Sequence, residues 1–245
     1  CIKEIPSDPK GLVIAVHGFS SSRECATFKM LMRRMPAAGY GVVGFDLPGH
    51  GTSKSYSETL RIDACLDSIE AAEQYAAEQY PGLPLYYFAS SFGAYLVGIY
   101  TSTREHNGRK AFLRSAAVNM PSLFITDDPS PEQKKIMDEM SAQGYADISL
   151  DDDHRPVRIT PDLIRDFESA DLFRIFDPEK FGKNEFRMAH GELDALIDPC
   201  QALAFAEKFG IPVTVFKGEG HSLGTDPATP DILADMAIEF FDHQP

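Results

Sequence analysis

Residues 86–94 of the chain read YYFASSFGA, and they are the most informative segment of the sequence. An apolar strand pattern runs directly into two serines and a glycine, after which apolar residues recur at helical spacing. A serine at such a sharp strand-to-helix turn is held in a strained backbone with its hydroxyl exposed above the sheet. The residues two before and two after it must be small. Ser91, between Ala89 and Gly93, meets this condition, whereas Ser90 has a phenylalanine at both places.

Strand-like and helix-like segments alternate along the rest of the chain. Short apolar runs rich in Val, Ile, Phe and Tyr are typical of strands buried on both faces. These runs occupy residues 12–16, 41–45, 85–89, 111–118, 186–189 and 213–216. Amphipathic helical patterns lie between them, and Thr229 before Pro230 is the expected N-cap of the last one. The alternation predicts an α/β fold, with a mainly parallel central sheet and helices on both faces.

One long segment interrupts this alternation. More than sixty residues separate the strand that ends near Val118 from the strand that begins near Phe186, and an ordinary connection needs far fewer. The segment has its own helix signals, a capping box at Ser130 and a Thr160-Pro161 start. We therefore expect an insertion that overhangs the ligand-binding edge of the sheet, although an appendage on a distant face stays an alternative. The predicted domains are a core of residues 1–120 and 185–245 and a helical cap of residues 121–184.

Two further motifs follow the first two clear strands. They read HGF at residues 17–19 and DLPGHGTS at residues 46–53. With the serine turn, they resemble the motifs of the α/β-hydrolase family, whose nucleophile turn is G-x-S-x-G and here has Ala89 for the first glycine. The resemblance extends over residues 11–241. It departs at the start of the chain, where the family's first antiparallel strands are short or missing and residues 1–5 are at most a remnant.

The resemblance implies a serine hydrolase that requires neither a metal nor an organic cofactor. In this family, the H-G-x segment and the residue after the nucleophile supply backbone N–H groups to an oxyanion hole, and the matching donors are Phe19 and Phe92. Removing one such donor costs about 2.7–4 kcal/mol of transition-state stabilisation in enzymes where this was measured. His17 and His50 are expected to brace loops and to have no catalytic role.

The base and the acid of the triad are expected near the end of the chain. Of seven histidines, His221 is the predicted base, because it lies in a glycine-containing loop after the last strand. MAHGELD at residues 188–194 resembles the family's strand and H-G-x-x-D turn, which places Asp194 at the acid position. Asp198 is the rival, but it precedes a proline and a helical pattern, as an N-cap does. Glu219 is expected to face solvent.

The predicted reaction is a two-step acyl transfer in which His221 takes the proton of Ser91 and Asp194 orients the imidazole. The chain resembles small bacterial carboxylesterases, including feruloyl and cinnamoyl esterases, and monoacylglycerol-lipase-like enzymes. The expected substrates are therefore carboxylic esters of small to medium acyl or aryl-acyl groups. The cap residues expected to line the substrate pocket are Phe124, Ile136, Met140, Phe167 and Leu172.

Two other interpretations share the same motifs. An amide or peptide hydrolase of the serine-aminopeptidase type should carry a carboxylate in the cap that binds a free amine, and residues 151–153 or Glu168 could serve. A non-catalytic ligand-binding protein on this fold typically lacks a member of the triad, and no member is missing here.

Composition restricts the partners. The 245 residues include 23 Lys+Arg and 37 Asp+Glu, and the net charge of −14 argues against a basic nucleic-acid face and against docking onto an anionic membrane. No apolar run approaches the roughly 18–20 residues that span a bilayer. The N-terminal residues lack a signal-peptide pattern, and four scattered cysteines fit a reduced compartment. We therefore expect a cytoplasmic enzyme with a small-molecule ester substrate, for which a homodimer is one option.

Overall fold

The computed structural model describes residues 1–54, 60–124, 126–149, 155–180 and 185–243. Its strands are β1 (Ile2–Glu4), β2 (Gly11–Val16), β3 (Tyr40–Gly44), β4 (Leu85–Ser90), β5 (Gly108–Arg114), β6 (Ala146–Ile148), β7 (Val157–Ile159), β8 (Phe186–Gly191) and β9 (Val213–Phe216). Within these residues, the central sheet has the order β1-β3-β2-β4-β5-β8-β9, and β6 pairs with β7 in a separate hairpin. Strand β1 is antiparallel to β3, whereas the other neighbours in the central sheet are parallel. The predicted mainly parallel sheet is confirmed.

Helices cover both faces of this sheet. They are α1 (Ala26–Ala37), α2 (Ile62–Gln79), α3 (Phe92–Thr103), α4 (Met120–Phe124), α5 (Pro131–Gln143), α6 (Pro161–Ser169), α7 (Leu172–Ile175), α8 (Pro199–Phe209) and α9 (Thr229–Asp242). Apolar side chains of α1 and α9 pack on one face, and those of α2, α3 and α8 pack on the other. In the part of the chain that the structure describes, no helix combines the length and the apolar character needed to cross a membrane.

The central strands are apolar throughout because each face of the sheet has its own core. In β2, Leu12, Ile14 and Val16 enter one apolar cluster, while Val13 and Ala15 enter the other. This alternation follows from the two-residue period of a strand. Strand β9 differs from the predicted burial on both faces, because it forms an edge of the sheet and its residues are only half-buried or exposed.

The predicted run over residues 111–118 combines a strand and a turn. Strand β5 begins earlier, at Gly108, and ends at Arg114, and Ser115 then adopts a positive φ of 45°. Ala116, Ala117 and Val118 stay buried after the strand has ended. Hydropathy alone therefore extended the predicted strand past its last paired residue.

The segment between β5 and β8 contains α4 to α7 and the β6–β7 hairpin. Ser130 forms the predicted capping box with Gln133, and the hydroxyl of Thr160 accepts the N–H of Leu163 at the start of α6. A two-point ion pair between Arg61 and Asp166, with N–O distances of 2.7 and 2.6 Å, joins the residue before α2 to α6. The acidic run at residues 151–153 lies outside the described residues.

Candidate active site

Ser91 lies at the turn between β4 and α3 with φ 52° and ψ −116°. A positive φ at a residue with a side chain is strained by about 1–3 kcal/mol. The turn also requires a glycine at position 93, because a Cβ there would lie 2.4 Å from the carbonyl oxygen of Val16 and 2.5 Å from that of His17. The turn therefore has the geometry that the spacing of small residues predicts.

The segment before Ser20 runs beside the nucleophile turn. A Cβ added to Gly18 would lie 3.2 Å from Cβ of Ser91 and 3.8 Å from its Oγ. The ring of Phe19 meets the ring of Phe92 edge-on, with the centroids 5.6 Å apart. Phe92 is the first residue of α3, so its N–H has no acceptor within the helix. Both predicted oxyanion-hole residues therefore flank Ser91.

The two histidines of these loops have structural contacts. Nε2 of His17 accepts the N–H of Leu47 at 3.0 Å, which ties the loop after β2 to the loop after β3. His50 is fully buried, with Nδ1 2.8 Å from the carbonyl oxygen of Pro48. Burial, with a smaller contribution from His17, lowers the pKa of His50 to about 3. A neutral, buried imidazole fits the predicted bracing role.

Asp194 holds the ring of His221. Its Oδ2 lies 2.8 Å from Nδ1 of His221, and its Oδ1 accepts the N–H groups of Leu196 and Ile197 at 3.0 and 2.9 Å. Burial opposes ionisation, but the hydrogen bonds from His190, His221 and the Ile197 N–H hold the pKa of Asp194 well below its usual range. The carboxylate is therefore ionised and directed at the imidazole.

Asp198, the rival for the acid role, has a different partner. Its Oδ1 accepts the N–H of Cys200 at 2.9 Å, which caps the N-terminus of α8. The N-cap expected from the Asp-Pro sequence is present.

Arg114 and Ser115 anchor both the predicted nucleophile and the predicted base. The carbonyl oxygen of His221 accepts from Nη2 of Arg114 at 3.0 Å and from Oγ of Ser115 at 2.9 Å. The N–H of Ser91 donates to the carbonyl oxygen of Arg114 at 2.9 Å. Sequence reasoning missed both anchors, although an arginine and a serine at the end of an apolar strand were the available signal.

In the described part of the chain, no hydrogen bond joins the Ser91 hydroxyl to the His221 ring. In hydrolases generally, the hydrogen bond between a nucleophile and its base is often long without substrate and tightens when the substrate binds. The hydrogen bonds of Arg114, at the end of β5, hold the backbones of Ser91 and His221 at the same edge of the sheet.

Glu219 does not face solvent, which corrects the sequence-based expectation. It is 2% exposed, and its carboxylate accepts the N–H groups of Thr225 and Asp226 and the hydroxyl of Thr229. The chain after His221 folds back over this side chain. The Thr229 hydroxyl is thereby engaged, and the N-cap of α9 is Ala228, whose side chain makes no capping bond.

Two adjoining cavities open at this edge of the sheet. The first, of about 350 Å³, reaches Ser91 and is mainly apolar, with Phe19, Phe92, Met120, Leu123 and Phe124 in its lining. The second, of about 440 Å³, reaches Asp194 and has a more polar lining that includes Asn119, Ser122, Thr126, Asp198 and Gln201. They share five lining residues, Ala117, Leu123, Ala195, Leu196 and Ile197. Among the described residues, no group of three or more His, Cys, Asp or Glu side chains is arranged to hold a metal ion.

The predicted pocket residues divide into two groups. Phe124 and Ile136 line the apolar cavity. Met140, Phe167 and Leu172, which were also predicted to line the pocket, are not among the residues that line this cavity. Phe167 is fully buried and stacks on Phe124 with the ring centroids 5.3 Å apart. Leu172 packs against Gly98 on α3, and Met140 packs against the apolar cluster to which Leu172 and Phe167 belong. These three side chains pack α5, α6 and α7 against the apolar core.

The parallel sheet, the strained serine turn and the Asp194–His221 pair define an α/β hydrolase. Residues 7–220 match the model of the serine aminopeptidase (S33) family, and the chain belongs to that family. No curated protein sequence matches the chain.

Solved structures with the same fold cover nearly the whole chain. A putative hydrolase from Agrobacterium vitis has 16% identity and a TM-score of 0.78, over 98% of this chain and 92% of that one. Est1E from Butyrivibrio proteoclasticus with bound ferulic acid has 17% identity and a TM-score of 0.75, over 99% and 95% of the two chains. The monoacylglycerol lipase of Paleococcus ferrophilus has 18% identity and a TM-score of 0.73, over 98% and 96%. At these identities, the likeness shows the fold.

Proposed function

We propose that this chain is a serine hydrolase that cleaves carboxylic esters of small to medium acyl or aryl-acyl groups through Ser91, His221 and Asp194. The observation that carries the proposal is the 2.8 Å Asp194–His221 contact on loops that are anchored to the same strand end as the strained Ser91 turn. The Ser91 turn is strained, and acyl transfer requires a nucleophile, a base and a group that orients the base.

The reaction follows from the hydrogen-bond roles. Because Nδ1 of His221 faces a carboxylate, Nδ1 carries the hydrogen and Nε2 is the free base. Nε2 takes the proton of Ser91 as the serine oxygen attacks the ester carbonyl, and the N–H groups of Phe19 and Phe92 stabilise the oxyanion. The proton then passes to the departing alcohol. Water, deprotonated by the same nitrogen, attacks the acyl-enzyme and releases the acid and Ser91.

The two cavities support an ester with two different ends. The apolar cavity beside Ser91 suits the acyl or aryl-acyl group, and the polar cavity suits an alcohol with hydrogen-bonding groups. The described lining of both cavities has no basic side chain, which favours a leaving group without negative charge. The bound ferulic acid of Est1E and the name of the monoacylglycerol lipase are consistent with such esters. In this proposal, residues 121–184 form the cap over the site.

A second candidate function, amide or peptide hydrolysis, is favoured by one observation. Glu132 on α5 lines the apolar cavity together with Ser91, and a cap carboxylate there could bind a free amine. Glu168, which the sequence also suggested, is exposed and does not belong to this lining.

The test compares two neighbouring serines. We expect the wild type to hydrolyse p-nitrophenyl acetate and butyrate, and Ser91→Ala to lower kcat by about 10³-fold or more with an unchanged circular dichroism spectrum. The matched control Ser90→Ala removes an equally buried hydroxyl and should keep kcat within about tenfold. Loss of activity in Ser90→Ala alone would contradict the assignment. Faster cleavage of aminoacyl p-nitroanilides than of esters would favour the second candidate.

A further inference from the structure

A second histidine contacts the carboxylate that orients His221. His190 lies at the end of β8 and is fully buried. Its Nε2 is 3.1 Å from Oδ2 of Asp194 and 3.1 Å from the carbonyl oxygen of Ile197. Because both neighbours are oxygen acceptors, Nε2 carries the hydrogen. Nδ1 of His190 is buried and has no partner among the described residues, so a second proton there would be unsatisfied. His190 is therefore the neutral Nε2–H tautomer.

The Asp194 carboxylate is surrounded by four donors. Oδ1 accepts the N–H groups of Leu196 and Ile197, and Oδ2 accepts from the two imidazoles. A carboxylate has about four lone-pair positions, so these donors fill them and fix its rotation. The two imidazoles differ in exposure, since the His221 side chain is 24% exposed whereas that of His190 is completely buried.

The backbones of His190 and His221 belong to different kinds of structure. His190 is paired with Val215 in the sheet, whereas His221 lies in a loop. The His190 ring also contacts the carbonyl oxygen of Ile197 and so closes the turn that presents Asp194. The sheet thus holds His190 in place, and the His190 ring in turn contacts Oδ2 of Asp194, the oxygen that binds Nδ1 of His221.

We propose that His190 is a positioning residue, which fixes Oδ2 of Asp194 so that His221 keeps its Nδ1–H tautomer and its ring orientation. This inference rests on the proposed serine hydrolase function. His190 touches neither substrate nor reacting atoms and transfers no proton. Groups that orient a catalytic ligand in this way typically alter activity by about 10–100-fold when they are removed.

The test replaces the His190 ring by one side chain that lacks an N–H donor and by another that has one. His190→Met has similar bulk and no N–H, and we expect it to lower kcat for p-nitrophenyl butyrate by about 10–100-fold, with KM within about twofold. His190→Gln restores a side-chain N–H and should recover most of the lost kcat. Rates are expressed per site titrated with a fluorophosphonate, so that unfolded protein does not count. His106→Met, at a half-buried histidine near Tyr100, is the matched control and should keep the wild-type kcat per site.

Two results would overturn the inference. One is a His190→Met enzyme with wild-type kcat per titrated site, and the other is a His190→Gln enzyme no better than His190→Met. If both variants fail to fold, ¹⁵N NMR of the wild-type imidazoles decides, because a protonated or Nδ1–H form of His190 contradicts the proposed contact. The NMR result also separates the two proposals. A wild type that lacks esterase activity and probe labelling but shows the Nε2–H tautomer would contradict the function and leave the His190–Asp194 contact standing.

Discussion

Ser91 is held in its strained conformation by backbone hydrogen bonds. Its N–H donates to the carbonyl oxygen of Arg114, and its own carbonyl oxygen accepts the N–H groups of Ala94, Tyr95 and Ala117. Backbone hydrogen bonds contribute about 0.5–1.5 kcal/mol each, so a few of them offset a strain of similar size. The hydroxyl is therefore placed by the backbone and remains available for chemistry.

At Asp194, the depressed pKa predicts how stability depends on pH. The carboxyl has a lower pKa in the folded protein than in the unfolded chain, where it is about 3.9. Its contribution is fully present above the unfolded value and is lost as pH falls through the folded value. We expect the wild type to exceed Asp194→Asn in free energy of unfolding by about 1–3 kcal/mol at pH 6–7, and this excess to shrink below about pH 4. Urea denaturation at a series of pH values measures the difference.

The control for this measurement is Leu193→Ala, next to Asp194. Leu193 is 64% exposed and carries no titratable group, so the effect of its truncation should not vary with pH. An Asp194→Asn difference that stays constant down to pH 2 would contradict the ionised, hydrogen-bonded carboxylate.

At the scale of elements, the end of β8 and the loop before His221 interlock at Gly191. A Cβ at this position would lie 2.4 Å from the carbonyl oxygen of Gly220 and 2.5 Å from that of Glu219. Gly191→Ala must therefore displace the backbone that leads into His221. We expect a loss of about 1–3 kcal/mol in the free energy of unfolding and a kcat for p-nitrophenyl butyrate lowered by about tenfold or more.

Gly224→Ala is the matched control on the other side of His221. A Cβ there would meet nothing closer than 3.8 Å, so stability should change by no more than about 0.5 kcal/mol. Equal stability and kcat in Gly191→Ala and the wild type would show that the two loops are not coupled.

Helix caps that depend on neighbouring residues were predictable from the sequence, whereas elements that depend on distant contacts were not. The caps at Ser130, Thr160 and Asp198 depend on residues within three positions, so a short sequence pattern was sufficient. Thr229 looked like an equally good cap. However, its hydroxyl bonds Glu219, ten residues away, and no local pattern carries that contact. The β6–β7 hairpin was missed for a different reason. Its two three-residue strands are too short to show the two-residue period of a strand.

At the scale of the whole molecule, the motif residues lie at the carboxyl edge of the parallel strands, whereas the lining of the neighbouring cavities follows from packing that no motif specifies. The motifs specify turns at strand ends, and parallel strands bring their carboxyl ends to one edge of the sheet. Whether an apolar residue between β5 and β8 faces a cavity or the core depends on how that segment packs on the sheet. Phe124 and Phe167 are both phenylalanines of this segment and look alike in the sequence. In the structure, Phe124 lines the cavity, whereas Phe167 is buried and stacks on Phe124. The cytoplasmic location stays a prediction from the sequence, and the homodimer stays one option.

Covalent labelling tests whether Ser91 is the activated nucleophile. The protein is treated with a fluorophosphonate, digested, and mapped by mass spectrometry. We expect one adduct per chain, on Ser91, with no adduct in Ser91→Ala and unchanged labelling in Ser90→Ala. His221→Ala should slow labelling by about 10³-fold or more, because the hydroxyl loses its base. No adduct on the folded wild type, or an adduct on Ser90 or another residue, would show that Ser91 is not the nucleophile.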